Sequence, residues 1–245
     1  MTVDLIDYTG CGTPDPSRHA ANLLVFTKQT RLEMRPGLLS EIAQWPLSRI
    51  YDELDYMANT IPSSWEFVTY TFLINNVTRA FTHQFVRTRT GSYAQQTMRV
   101  LNVDGWSYGT GPTIEGDLLL EAKYQDAMTV VDAAYRELIK DGAAIEDARG
   151  VLPTNIHTNI VAKFDLRSLA DTARKRASGR TQGEYRQVMN AMLEAVLQVH
   201  PWAGLFFGRT FDVAAGELEA ALRAALPGDE ATRLVKLLDQ MRATA

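Results

Sequence analysis

With 245 residues, 46% of them apolar and 22% charged, the chain is long enough for one substantial domain or two small ones and too apolar for a disordered one. Its formal net charge of -4 gives no general attraction to nucleic acid, so any basic site must be local. A single cysteine, Cys11, excludes an intrachain disulfide, and the histidines at 19, 83, 157 and 200 follow no metal-binding spacing.

The opening MTVDLIDYTG lacks a basic region followed by a long apolar run, so no secretory leader is expected. No stretch is long and apolar enough to predict a membrane span, and the expected location is cytoplasmic. Val3 to Tyr8 reads as a short strand. Thr9 to Ser17, with Gly10, Gly12, Pro14 and Pro16, reads as a turn-rich loop. Residues 18–32 carry a loose helical pattern. A second pattern over 39–60, through Ile42, Leu47, Ile50, Leu54 and Met57, is interrupted at Pro46.

Phe67 to Ile74 is dense in Val, Thr, Tyr and Phe, which predicts a strand. Asn75-Asn76 is placed to cap a helix through Val77, Ala80, Phe81, Gln84 and Phe85. In it Phe81 and Phe85, four residues apart, read as core packing. Residues 102–116 are glycine-rich and read as irregular. Asp117 to Lys140 is the strongest helix of the chain, with apolar faces from Leu118, Ala122, Met128, Val131, Ala134, Tyr135 and Leu138, and Asp141-Gly142 ends it. Further on, Ile145 to Arg149 reads as a short helix, Thr154 to Phe164 as a strand, and Asp165 to Ala177 and Glu184 to Val199 as helices. Trp202 to Phe207, 213–226 and 231–241 complete a helical tail. The pattern predicts a single α+β domain over 1–245 with more helix than sheet.

One stretch stands apart. His83 to Arg99 holds Arg87, Arg89 and Arg99 together with Gln84, Gln95 and Gln96, and no acid occurs between Phe67 and Val103. Arginine suits phosphate, and glutamine donates and accepts at once, as the edge of a pyrimidine or flavin ring requires. A salt-bridged surface or a nucleic-acid-binding patch would use the same residues. Gly91 permits a tight turn or a close backbone approach. The cluster Arg174-Lys175-Arg176 also suits a solvated helix end. No GxGxxG, P-loop or GxSxG pattern points to another chemistry.

The order Arg87-Thr88-Arg89, seven residues, Thr97, then Arg99 resembles the Arg-His-Arg, seven residues, Ser signature of flavin-dependent thymidylate synthases. His83-Gln84-Phe85 and Ser92-Tyr93 extend the likeness. Downstream, Glu146 to Pro153 resembles the family's Glu-x-Ala-Arg-x-x-Leu-Pro, and Arg167-Ser168-Leu169 its Asn-x-Arg-Ser-Leu. Arg176, Gln182, Glu184 and Pro201-Trp202 fit later positions.

The resemblance implies a helix-rich α+β fold with a central antiparallel or mixed sheet. It also implies a homotetramer whose active sites are shared between subunits. The implied reaction is methylation of the pyrimidine deoxynucleotide dUMP at C5, with FAD as cofactor and methylenetetrahydrofolate and NADPH as co-substrates. By the same carry-over, Arg87, Thr88, Arg89, Gln95, Asp165, Arg167 and Asp171 are cofactor positions. Gln84, Arg87, Gln96, Thr97, Arg99, Arg149 and Arg176 are substrate positions, with Arg176 polarising the ring and Arg149 reaching the phosphate across a subunit boundary. Departures cluster in the site: Thr88 for His, Ala94-Gln95 for Asn-Glu, Val100 for Tyr, Asp165 for Asn, and Arg174 at a later flavin-side Asn. They leave open an altered C5 chemistry, methylation or hydroxymethylation of another pyrimidine nucleotide, or a non-catalytic assembly protein on the same scaffold.

Overall fold

A computed structural model describes residues 1–99, 107–111, 113–176, 183–207 and 211–244. Val100, Ala177 and Gln182, named above, lie outside the described residues. In chain order the elements begin with β1 (Thr2–Tyr8), α1 (Pro16–Gln29), α2 (Leu38–Ile42) and α3 (Leu47–Thr60). A 3-10 turn (Pro62–Phe67) leads into β2 (Thr69–Thr78), α4 (Arg79–Phe85) and β3 (Ser92–Gln95). There follow α5 (Leu118–Lys140), α6 (Ile145–Ala148), a 3-10 turn (Arg149–Val151), β4 (His157–Asp165), α7 (Leu166–Arg176) and α8 (Gly183–Val199). A 3-10 turn (Pro201–Ala203), α9 (Gly204–Phe207), α10 (Phe211–Ala225) and α11 (Gly228–Thr244) finish the chain.

The strands form one antiparallel sheet in the order β1-β2-β4-β3. Alternation fixes its inner face. Tyr70, Phe72 and Ile74 of β2 stand opposite Phe164, Ala162 and Ile160 of β4, and all six are buried. Helices α8, α4 and α7 pack against this sheet, while α1 and α3 pack against each other to extend the core. Residues between these positions, such as Thr71 and Lys163, face the less protected side.

Local chemistry accounts for the helix boundaries. Asp15 caps α1 by accepting from the Arg18 N–H at 2.9 Å, and Pro16 opens it. Pro46 splits the 39–60 pattern into α2 and α3. Asp117 accepts from the N–H groups of Leu119 and Leu120 to start α5, and Gly142, at φ +95°, follows its end.

Two expectations shift. The predicted Asn75-Asn76 cap lies inside β2, which continues to Thr78 through a bulge where Asn76 takes φ +54°. Thr78 caps α4 instead, its hydroxyl accepting from the Phe81 N–H at 3.0 Å. The apolar positions of α5 are largely uncovered within one chain. Tyr135 is its only buried residue, whereas Leu118, Leu119 and Val130 are 84%, 65% and 69% exposed.

Candidate functional site

The signature stretch is built on an aromatic floor. Phe81 stacks on Phe85 at 4.9 Å, and Phe85 meets Tyr93 at 5.3 Å and Phe164 at 5.7 Å. Above it, the turn leaving α4 carries Arg87, Thr88 and Arg89. The Tyr93 hydroxyl holds that turn, donating to the Thr88 carbonyl at 2.8 Å and lying 3.1 Å from that of Phe85. Burial raises the Tyr93 pKa, which keeps the phenol protonated as a donor. A Cβ on Gly91 would sit 2.6 Å from that hydroxyl and 2.8 Å from the Phe164 ring, so the close approach needs glycine. Ser92 to Gln95 then pairs with β4, a strand the polar composition of this run does not announce.

Opposite the turn stands α7. Asp165 caps it, accepting from the Ser168 N–H at 2.7 Å and from the Ser168 hydroxyl at 3.0 Å. Two adjacent ridges of the helix, Arg167-Asp171-Lys175 and Ser168-Thr172-Arg176, line a cleft of about 540 Å³ against Arg87 to Thr90 and Glu66. Its walls carry five cations (Arg87, Arg89, Arg167, Lys175, Arg176) and two acids (Glu66, Asp171), a formal excess of three positive charges. Glu66 accepts from Arg167 at 2.6 Å, and Asp171 pairs with Arg174 at 2.7 Å. The Arg176 guanidinium lies 5.0 Å from the centre of the Tyr185 ring.

Six of the residues singled out from sequence therefore meet in one cleft: Arg87, Thr88, Arg89, Arg167, Asp171 and Arg176. Arg149 lies elsewhere, in a cleft of about 390 Å³ with Arg79, His83, Met98 and Glu146. Arg99 reaches the same neighbourhood by pairing with Glu146 at 2.9 Å, and its N–H donates to the Thr97 hydroxyl at 3.1 Å. Gln84, Gln95, Gln96 and Thr97 line neither cleft. Gln95 donates to the Thr82 hydroxyl at 2.9 Å, and Gln96 accepts from the Asn159 amide at 3.0 Å. Asp165 is engaged at its helix cap. Arg174 turns away from the larger cleft toward the Phe206 carbonyl at 3.3 Å. Glu184 ties α8 to the start of α4 by accepting from the Thr78 N–H at 2.7 Å and the Thr78 hydroxyl at 2.5 Å.

Sequence reading did not single out Glu66, Lys175 or Arg79 as site residues. Lys175 was legible as eight residues beyond Arg167 on one helix ridge. Glu66 and Arg79 come from other elements, and no spacing rule connects them to the clefts.

Comparison with known proteins sets this geometry in a family. Residues 24–202, which contain both clefts, match the family described as "Thymidylate synthase complementing protein". The chain belongs to this family, as a divergent member. A flavin-dependent thymidylate synthase of Clostridium tetani is 34% identical over 219 residues, covering 82% of this chain and 84% of that protein. Relatives of the same name from Nitratidesulfovibrio vulgaris and Sulfurisphaera tokodaii are 36% and 38% identical over 144 and 136 residues. Those alignments cover 56% and 54% of this chain and only 59% and 51% of the relatives' own lengths. The α+β fold with its antiparallel sheet agrees with this membership. Among the described residues no helix is long and apolar enough to cross a membrane.

Proposed function

We propose that the chain catalyses reductive methylation of dUMP at C5, with FAD as cofactor and methylenetetrahydrofolate and NADPH as co-substrates. One observation carries the reading: the cofactor-side residues Arg87, Thr88, Arg89, Arg167 and Asp171 share a single cleft with Arg176. The donor set fits a flavin nucleotide. An excess of guanidinium and ammonium groups suits its diphosphate, the Thr88 and Thr90 hydroxyls suit its polar edges, and the cleft volume lies in the range of small-molecule sites.

FAD, when bound, supplies the hydride step of the methylation. The protein's part is placement and electrostatics. Arg87 and Arg89, held by the Tyr93-anchored turn, bind and orient. Arg167 must exchange Glu66 for the cofactor. Arg176, steadied against Tyr185, donates to the pyrimidine carbonyl edge and stabilises negative charge that develops there as C5 reacts. Arg149 and Arg99 serve the nucleotide phosphate from the smaller cleft.

Because the two clefts are separate within one chain, the complete site is assembled between copies in a homotetramer. The uncovered face of α5 supports this, since α5 packs on α6 and on the turn that begins at Arg149. In a direct test, purified protein is incubated with FAD, dUMP, methylenetetrahydrofolate and NADPH, and the nucleotide is analysed by mass spectrometry. Formation of thymidylate is the expected result. Tight FAD binding without any methylated product would refute dUMP methylation.

A second reading keeps the cofactor and changes the pyrimidine or its C5 product. Gln95 favours it: an amide stands where the family has a carboxylate, and one of its N–H groups is already committed to Thr82. A panel of pyrimidine nucleotides in the same assay separates the two.

A further inference from the structure

We propose that Arg79 is a second phosphate-binding guanidinium beside Arg149, positioning the nucleotide in the cleft they share. This rests on the reading above, in which Arg149 meets the nucleotide phosphate. Arg79 opens α4 and is locked there by its own N–H, which donates to the Ile156 carbonyl at 3.0 Å. Its side chain is half-buried and reaches the Gln96 carbonyl at 3.0 Å, immediately before Thr97. Its Nε is buried and has no partner.

No described carboxylate pairs with Arg79. Glu146, the acid of this cleft, gives its carboxylate to Arg99 at 2.9 Å and its carbonyl to Arg149 at 3.0 Å. Two guanidiniums thus face one space of about 390 Å³ whose lining acid, Glu146, is already paired. Burial first, and the Arg149 charge second, press the Arg79 pKa downward. An anion in the cleft removes that repulsion and supplies the acceptors both side chains need. A structural role would require only the bond to the Gln96 carbonyl, for which a second nearby guanidinium is a cost.

The contact with Gln96 gives Arg79 a further consequence. A phosphate held by Arg79 is coupled through one hydrogen bond to the segment carrying Gln96, Thr97 and Arg99. Arg79 therefore links the phosphate cleft to the run read as the nucleotide site.

The test uses the full-length FAD-loaded protein and the variants Arg79→Gln and Arg79→Met, the latter keeping the apolar stem if the former fails to fold. Calorimetric titration with dUMP is expected to show a roughly tenfold to hundredfold weaker Kd in the variant, with FAD affinity unchanged. Inorganic phosphate should raise the Tm of the wild type more than that of the variant. A dUMP affinity within about threefold of wild type, or a parallel loss of FAD binding, would overturn the proposal. If the wild type binds no uridine nucleotide, the proposed substrate falls and the phosphate arm decides alone. A larger phosphate-induced Tm rise in the wild type then keeps Arg79 as an anion site, and equal rises remove it.

Discussion

Arg176 is the residue on which the proposed chemistry leans most. It ends α7, half-buried, with its guanidinium near the Tyr185 ring and its side chain lining the larger cleft. Arg176→Ala is expected to lower turnover by roughly a hundredfold to a thousandfold, the range seen when one oxyanion-stabilising donor is removed. Circular dichroism and Tm should stay near wild type. Turnover retained in the variant would remove the ring-polarising role. Glu66 makes the opposite prediction. Its pair with Arg167 is exposed at both ends, and such pairs contribute at most about 1 kcal/mol to stability. Glu66→Gln should therefore leave Tm nearly unchanged while tightening FAD binding severalfold, read by flavin fluorescence, because Arg167 no longer has to leave a carboxylate. Weaker FAD binding in the variant would mean that Glu66 itself assists the cofactor.

At the scale of elements, helix breakers and turns are the most legible features, and caps and strand ends the least. Asp117, Pro46 and Asp141-Gly142 act through local backbone chemistry, and α3 and α5 begin or end where those residues require. The Asn75-Asn76 cap was misplaced because sheet pairing competes with helix capping: β4 holds β2 through Thr78, and a bulge absorbs the asparagines. β3 was invisible because its pairing with β4 is a tertiary fact and its composition is polar. Asp165, read as a cofactor position, caps α7 in the structure. Asp165→Ala should cost about 1 kcal/mol in urea denaturation, and Asp165→Asn much less, since asparagine caps as well. Equal losses in the two variants would show that charge at the helix start, rather than the cap bond, matters.

At the scale of the molecule, one buried group sets a pH dependence. His200 is fully buried among Tyr8, Tyr70 and Trp202, with its Nδ1 2.9 Å from the Tyr70 hydroxyl. Burial lowers its pKa from 6.5 to about 4. The folded protein thus keeps the ring neutral where the unfolded chain protonates it. Its contribution is fully present above pH 6.5 and is lost as pH falls toward 4, amounting to up to about 3 kcal/mol. Denaturation between those limits should show a steeper acid loss for the wild type than for His200→Gln. Identical slopes would place the acid sensitivity elsewhere.

By itself the sequence determined the helix-rich α+β class, the family and the identity of the arginines, because these follow from local periodicity, cap residues and an ordered motif. It also marked Gly91 as a place where a tight turn or a close approach is permitted, whereas the need for glycine, set by the Tyr93 hydroxyl and Phe164 ring packed against it, is spatial. Only the tertiary structure decided which cations share a space. The signature arginines join α7 in one cleft, while Arg149 joins Arg79 in another. That division arises because side chains from a turn, a helix and a strand end meet only after the sheet has set the positions of all three. Charge and hydrogen-bond demand depend on that distance in space, and separation along the chain carries no record of it.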